Sequence, residues 1–236
     1  MNRWLLCIII LTLAAFAASF YLGALRPDLL PEKVPIHWNA EGKADGFVAR
    51  DHILPSFLIV PGIMAGFVLL WLLLPWLSPK QFSIDRFRNT YNFLMALVGI
   101  LFAYIHAITL AASAQLPIDM TKAMLGGMFL FLALIGNLLG KVQRNFFVGI
   151  RTPWTLADET VWIRTHRVGS WVLTAGSLIG FVAVMCGVPF WWCMGGLLAI
   201  ALFPVFYSLI LYKRLEKQGK LSGVPVSASV PPGGQA

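Results

Sequence analysis

The chain has 236 residues, 58% of them hydrophobic and only 12% charged, and its 18 Lys and Arg against 10 Asp and Glu give a formal net charge of +8. The apolar residues gather into stretches long enough to cross a bilayer, which excludes a water-soluble globular domain. The positive excess does not point to nucleic acid, because no polar connection is long enough to fold into an aqueous module with a basic face; membrane topology and anionic lipid headgroups account for it.

Hydrocarbon offers the backbone no hydrogen-bond partner, so each crossing needs roughly 20 mostly apolar residues in a helix. Six segments qualify, at 4–25, 53–77, 91–112, 120–140, 170–187 and 190–212. The chain therefore divides into a first span (1–25), an outer connection (26–52), spans two to four (53–140), a polar motif with a short interfacial helix (141–169), spans five and six (170–212) and a basic, then disordered, tail (213–236). The predicted fold is an all-α membrane protein of six transmembrane helices with a small folded outer loop.

The first span follows Arg3 and stays apolar through Phe20, Tyr21 and Leu22 to Leu25. That run is longer than the core of a cleaved signal, so the span is expected to be retained. In the connection 26–52, Pro31 and Pro35 forbid a helix, and the alternation of Val34, Ile36 and Trp38 with Pro35, His37 and Asn39 has the period of a strand. Gly42 and the Asp45-Gly46 pair predict a reversal that brings the chain back toward Phe47 and Val48. Two readings stand for His37, Asn39 and Asp45. They form a polar cluster that recognises something arriving from outside, or they bond the backbone of a structural turn. His37, Asp45 and His52 lack any short ligand spacing, so neither metal nor cofactor is expected.

Within spans two to four only His106 is clearly an ionisable group in hydrocarbon, with Asn137, Asn92 and Thr109 as candidate companions. It serves either to bond a neighbouring helix or as a ligand-contacting site. Gly62 with Gly66, and Gly176 with Gly180, predict close helix approach in spans two and five. In the segment 141–169, Thr155 reads as an N-cap with Asp158 and Glu159 in the first turn, so a short helix should start near Leu156. Trp162 and His166, four residues apart, share a face. One reading is an interfacial anchor helix; the other gathers Arg151, Thr152, Trp154, Thr165 and His166 around a polar pocket. Further along, Cys186 and Cys193 flank the tight turn at Pro189 and read better as small apolar residues than as a bridge. Pro204 predicts a kink in span six, and Lys213, Arg214, Lys217 and Lys220 open the tail.

Counting basic residues fixes an expected orientation. With the N-terminus in the cytoplasm, 13 of the 18 fall in cytoplasmic segments and five outside, which places both termini inside and the 26–52 connection outside. No nucleophile and base stand in a recognised catalytic motif, so no enzyme activity is expected.

Two runs carry a resemblance. Leu30-Pro31 through Pro35-Ile36-His37-Trp38-Asn39 to Gly42 and Asp45-Gly46 resembles the domain of unknown function that opens many members of the SdpI family. Asn145-Phe146-Phe147-Val148-Gly149-Ile150-Arg151-Thr152-Pro153-Trp154-Thr155-Leu156, continuing to Trp162 and Thr165-His166-Arg167, resembles that family's most recognisable run. With six spans, the likeness covers nearly the whole chain; the tail departs from it. The resemblance implies a bacterial plasma-membrane immunity protein against a secreted, membrane-active peptide toxin. In this reading the outer loop meets the toxin, the bundle links that event to the 151–166 region, and a cytoplasmic regulator reads the result. The alternatives are a transporter of a small hydrophobic or peptide solute, and a scaffold for a membrane partner.

Overall fold

Among the described residues of the computed structural model, strands form only in the first connection, and every other regular element is helical. The structure describes residues 2–77, 87–145 and 147–222. The predicted tail beyond Ser222 lies outside the described residues, as do Lys80 and Arg86 of the second connection. Helix α1 (Arg3–Phe20) closes in a π turn (Tyr21–Leu25). A hairpin follows, β1 (Lys33–Trp38) and β2 (Ala44–Ala49). Then come α2 (Leu54–Leu77), α3 (Arg88–Ser113), α4 (Met120–Leu139), the single turn α5 (Pro153–Ala157), α6 (Glu159–Met185) and α7 (Phe190–Lys217). Among the described residues six helices are long and apolar enough to cross a membrane: α1 with its π turn, α2, α3, α4, α6 and α7.

Six crossings put the start of α1, the end of α2, the start of α3, the α4–α6 connection with α5 and the end of α7 on one face of the bundle, and the hairpin on the other. The helices pack as two groups of three. Helices α1, α2 and α3 contact one another, α4, α6 and α7 do likewise, and the α3–α4 contact joins the groups.

The fifth span starts earlier than predicted. No separate interfacial helix ends near Arg167; α6 begins at Glu159 and runs unbroken into the membrane. Its buried residues explain this, because Val161, Trp162, Thr165, His166, Gly169 and Leu173 keep one helical stripe across the expected boundary. The short helix is instead α5, capped by Thr152, while Thr155 is its third residue and completes a capping box; Asp158 caps α6. Helix α7 likewise runs past residue 212 and stays helical through Pro204, which packs against Gly169. Cys186 and Cys193 are free thiols.

Close packing falls where one glycine pair predicts it and not where the other does. A Cβ at Gly180 would lie 2.3 Å from the Phe129 ring and one at Gly176 2.9 Å from Ile200, so α6 sits tightly between α4 and α7. Gly62 and Gly66 face open space, and α2 uses neither to approach a neighbour. The tightest backbone approach is at Gly136 of α4, whose added Cβ would stand 2.8 Å from both Leu173 Cβ and the Thr174 backbone nitrogen. Gly136→Ala should therefore force α4 and α6 apart at a cost of about 1–3 kcal/mol. Melting in detergent should show a clear fall for Gly136→Ala and little change for Gly62→Ala.

Candidate functional site

On the hairpin face, β1 and β2 pair antiparallel, with Val34 opposite Val48 and His37 opposite Gly46. Val34 is fully buried with Leu30, Ile53, Phe57 and Leu110, which seats the hairpin on α2 and α3. Two hydroxyls fasten it further. Ser113 Oγ donates to Pro35 O at 2.7 Å and Thr121 Oγ1 to Ala40 O at 3.3 Å. Gly42 takes φ +74° at the reversal, and a Cβ there would also strike Thr121 Oγ1.

The three polar residues predicted here divide. His37 Nδ1 meets Asp45 Oδ1 at 2.5 Å on the exposed surface. Asn39 is a turn residue: its Oδ1 accepts from the Glu41 and Lys43 backbone N–H groups at 3.1 and 3.0 Å. Asp45 and Gly46 lie within β2 rather than in the turn, and Gly46 is there because a Cβ would lie 2.8 Å from His37 Cβ. Among the described residues no group of three or more His, Cys, Asp or Glu could hold a metal ion.

Beneath the hairpin opens a cleft of about 650 Å³. Residues 36–40 form one wall, Tyr104 and Thr109 of α3 a second, and α7 with Phe190, Trp191 and Met194 a third. Met120, Met124 and Met128 of α4 stand one turn apart along it. Sequence reasoning missed this cleft, although the four-residue methionine spacing was a visible signal for one lined face.

On the other face, the described residues between α4 and α5 form no regular element, and side chains supply much of their hydrogen bonding. Buried Asn145 accepts at Oδ1 from the Phe147 and Val148 N–H groups (2.8 and 2.7 Å) and donates from Nδ2 to the Gln143 and Val148 carbonyls (both 2.8 Å). Gly149 turns the chain at φ +115°, where a Cβ would lie 2.5 Å from His166 Nε2. His166 Nδ1 is 2.9 Å from the Trp162 carbonyl, which only accepts, so Nδ1 carries the hydrogen and Nε2 accepts from Ile150 N–H at 3.0 Å. Trp162 stacks on that imidazole with centroids 4.0 Å apart and donates from Nε1 to Val142 O.

Thr152 and Thr155 complete the turn. Thr152 Oγ1 pairs with Ser208 Oγ of α7 at 3.0 Å, and Thr155 Oγ1 donates to Ile150 O at 2.8 Å. Asp158 caps α6 through Val161 N–H and accepts from both the backbone and hydroxyl of Ser222, tying the chain beyond α7 to this hub. Burial pushes its carboxyl pKa up, but hydrogen bonds from Val161, Ser222 and Thr160 outweigh that and hold it below the ordinary value. A depressed carboxylate stabilises the fold above its unfolded pKa, and the contribution is lost only as pH falls through the lower folded value.

The predicted pocket around Arg151, Thr152, Trp154, Thr165 and His166 is thus a packed hub, with Asn145, Thr152, Thr165 and His166 buried. Arg151 is exposed, and Trp154 packs in a separate cluster with Val161, Leu211 and Leu215. Thr165 Oγ1 is buried with no hydrogen-bond partner among the described residues. Within the bundle His106 is a helix link: its Nε2 lies 3.0 Å from Ser19 Oγ and 3.3 Å from Ala15 O, and Ser19 donates to Phe57 O. Its expected companions are elsewhere. Asn92 accepts from Trp71 Nε1, Thr109 donates to Ile105 O in its own helix, and Asn137 is exposed.

Fold and site together define a multi-pass membrane protein with a hairpin cap at one end and a side-chain-bonded loop at the other. Residues 141–208 match the SdpI/YfhL protein family and residues 7–65 match a domain of unknown function, DUF1648. The chain is 29% identical over 209 residues to Immunity protein SdpI of Bacillus subtilis, covering 88% of this chain and 97% of that protein. Both matches and this likeness make the chain similar to the SdpI family. No solved structure gives a significant match.

Asn145→Ala removes the side-chain acceptor of two part-buried N–H groups, at a cost of about 1–3 kcal/mol. It should lower the melting temperature and open 145–151 to protease, while Asn145→Asp, which keeps the acceptor, should lie between Ala and the parent.

Proposed function

We propose that this protein is an SdpI-type immunity protein that protects its own membrane by holding a secreted, membrane-active peptide in the cleft beneath the hairpin. The observation that carries this reading is the cleft itself: an apolar recess of about 650 Å³ at one membrane face, with His37 and Asn39 at its rim. Methionine side chains are flexible and polarisable, so the α4 stripe suits an apolar peptide whose surface is irregular. The likeness to Immunity protein SdpI over nearly the whole of both chains supports the same class of activity.

The protein resides in a bacterial plasma membrane with both termini in the cytoplasm, so the hairpin and cleft meet a toxin arriving from outside. Helix α4 extends from the cleft to the hub face and packs closely on α6, which carries Trp162 and His166. Movement of α4 on occupation would therefore reach the Asn145–His166 hub, where a cytoplasmic regulator reads it. Export of a solute is the weaker reading, because His106 is committed to Ser19 and Ala15.

Bacillus subtilis cells lacking Immunity protein SdpI and expressing this chain, challenged with the sporulation-delaying toxin, test the proposal. Expression should restore growth, and Met124→Trp, which fills the cleft, should abolish protection at unchanged membrane abundance. His37→Ala should weaken it. Protection that survives Met124→Trp would place the toxin elsewhere.

A further inference from the structure

We propose a second site, for the phosphate headgroup of an anionic phospholipid, on the face that carries the termini. A cleft of about 520 Å³ lies there between the N-terminal turns of α1 and α3 and the end of α4. Arg3 enters it from α1 and Lys141 from just beyond α4. Neither is ion-paired to a described carboxylate, and no carboxylate is among the described residues that line the cleft. Two cations facing one recess at the ends of membrane helices attract an anion that resides at headgroup depth.

The rest of the lining fits the same occupant. Helix α3 has Phe87 at its N-cap position, which offers no side-chain cap, and the Asn89 and Thr90 side chains of its first turn line the recess as polar groups. The floor is apolar: Trp4 and Phe93 meet with ring centroids 4.8 Å apart, and Leu138 lies with them. Arg3 holds its guanidinium 5.1 Å above the Trp4 ring, which keeps the charge at the rim. A cationic rim over an aromatic floor suits a molecule with a phosphate above and acyl chains below. Inorganic phosphate shares only the upper half of that chemistry.

The test uses the full chain in neutral detergent, titrated with phosphatidylglycerol, phosphatidylcholine or inorganic phosphate, with bound lipid counted by native mass spectrometry. Phosphatidylglycerol should be retained, and the double variant Arg3→Gln/Lys141→Gln should weaken its retention by about 30-fold through loss of two basic contacts. The paired change Lys33→Gln/Lys122→Gln on the hairpin face should leave it unchanged. Acetylation of the unaltered chain provides a second readout that no folding defect disturbs: phosphatidylglycerol should shield Lys141 but not Lys122. Equal retention of phosphatidylcholine, equal loss in both double variants, or no shielding of Lys141 would overturn the site. Shielding by inorganic phosphate alone would overturn the lipid assignment.

Discussion

A peptide group inside hydrocarbon must find its hydrogen-bond partner within the protein, and this constraint decides where everything else in the molecule can be. Six helices satisfy their own backbones, so irregular chain is confined to the two faces. There, named side chains complete the described backbone of the hairpin turn and of the loop before α6. Asn39 closes the hairpin turn, Ser113 and Thr121 fasten the hairpin to the helix ends, and Asn145, Thr155 and His166 bond the loop that precedes α6.

The same constraint shapes the bundle. Lipid tails are as apolar as leucine, so helices associate through close contact and hydrogen bonds rather than through exclusion of water. Gly136, Gly176 and Gly180 permit the contact among α4, α6 and α7, while Ser19 and His106 supply the bonds among α1, α2 and α3. The two groups of helices meet along α3 and α4, and the cleft opens on the hairpin side of that meeting, closed laterally by α7. A family-matched hub and a cleft at opposite ends of α4 thus share one helix.

Legibility in the sequence followed the range of the interaction. The six spans were evident because hydropathy is a local property, and the strand pattern at Val34 and Ile36 was evident because its period is two. Features that need a partner far along the chain were not. Gly62 and Gly66 looked like a packing pair yet face open space, whereas Gly136, whose partner lies on α6, drew no attention. Asn137 reads as a companion of His106, but helix rotation places it outward, and Ser19, the true partner, stands 87 residues from His106. At the hub, the residue types were legible but their division of labour was not: Thr152, rather than Thr155, is the cap, because the pairing with Ser208 of α7 fixes its orientation.

The whole account depends on the hairpin and the hub lying on opposite sides of the bilayer, hairpin outward. A cysteine-free background, with single cysteines introduced at Glu41 in the hairpin turn and at Ala157 beside the hub, can be labelled in intact cells with a thiol reagent that does not cross membranes. The cysteine at 41 should react at once and the one at 157 only after the cells are permeabilised. Equal labelling of both in intact cells, or the reverse order, would contradict the topology and every functional assignment built on it.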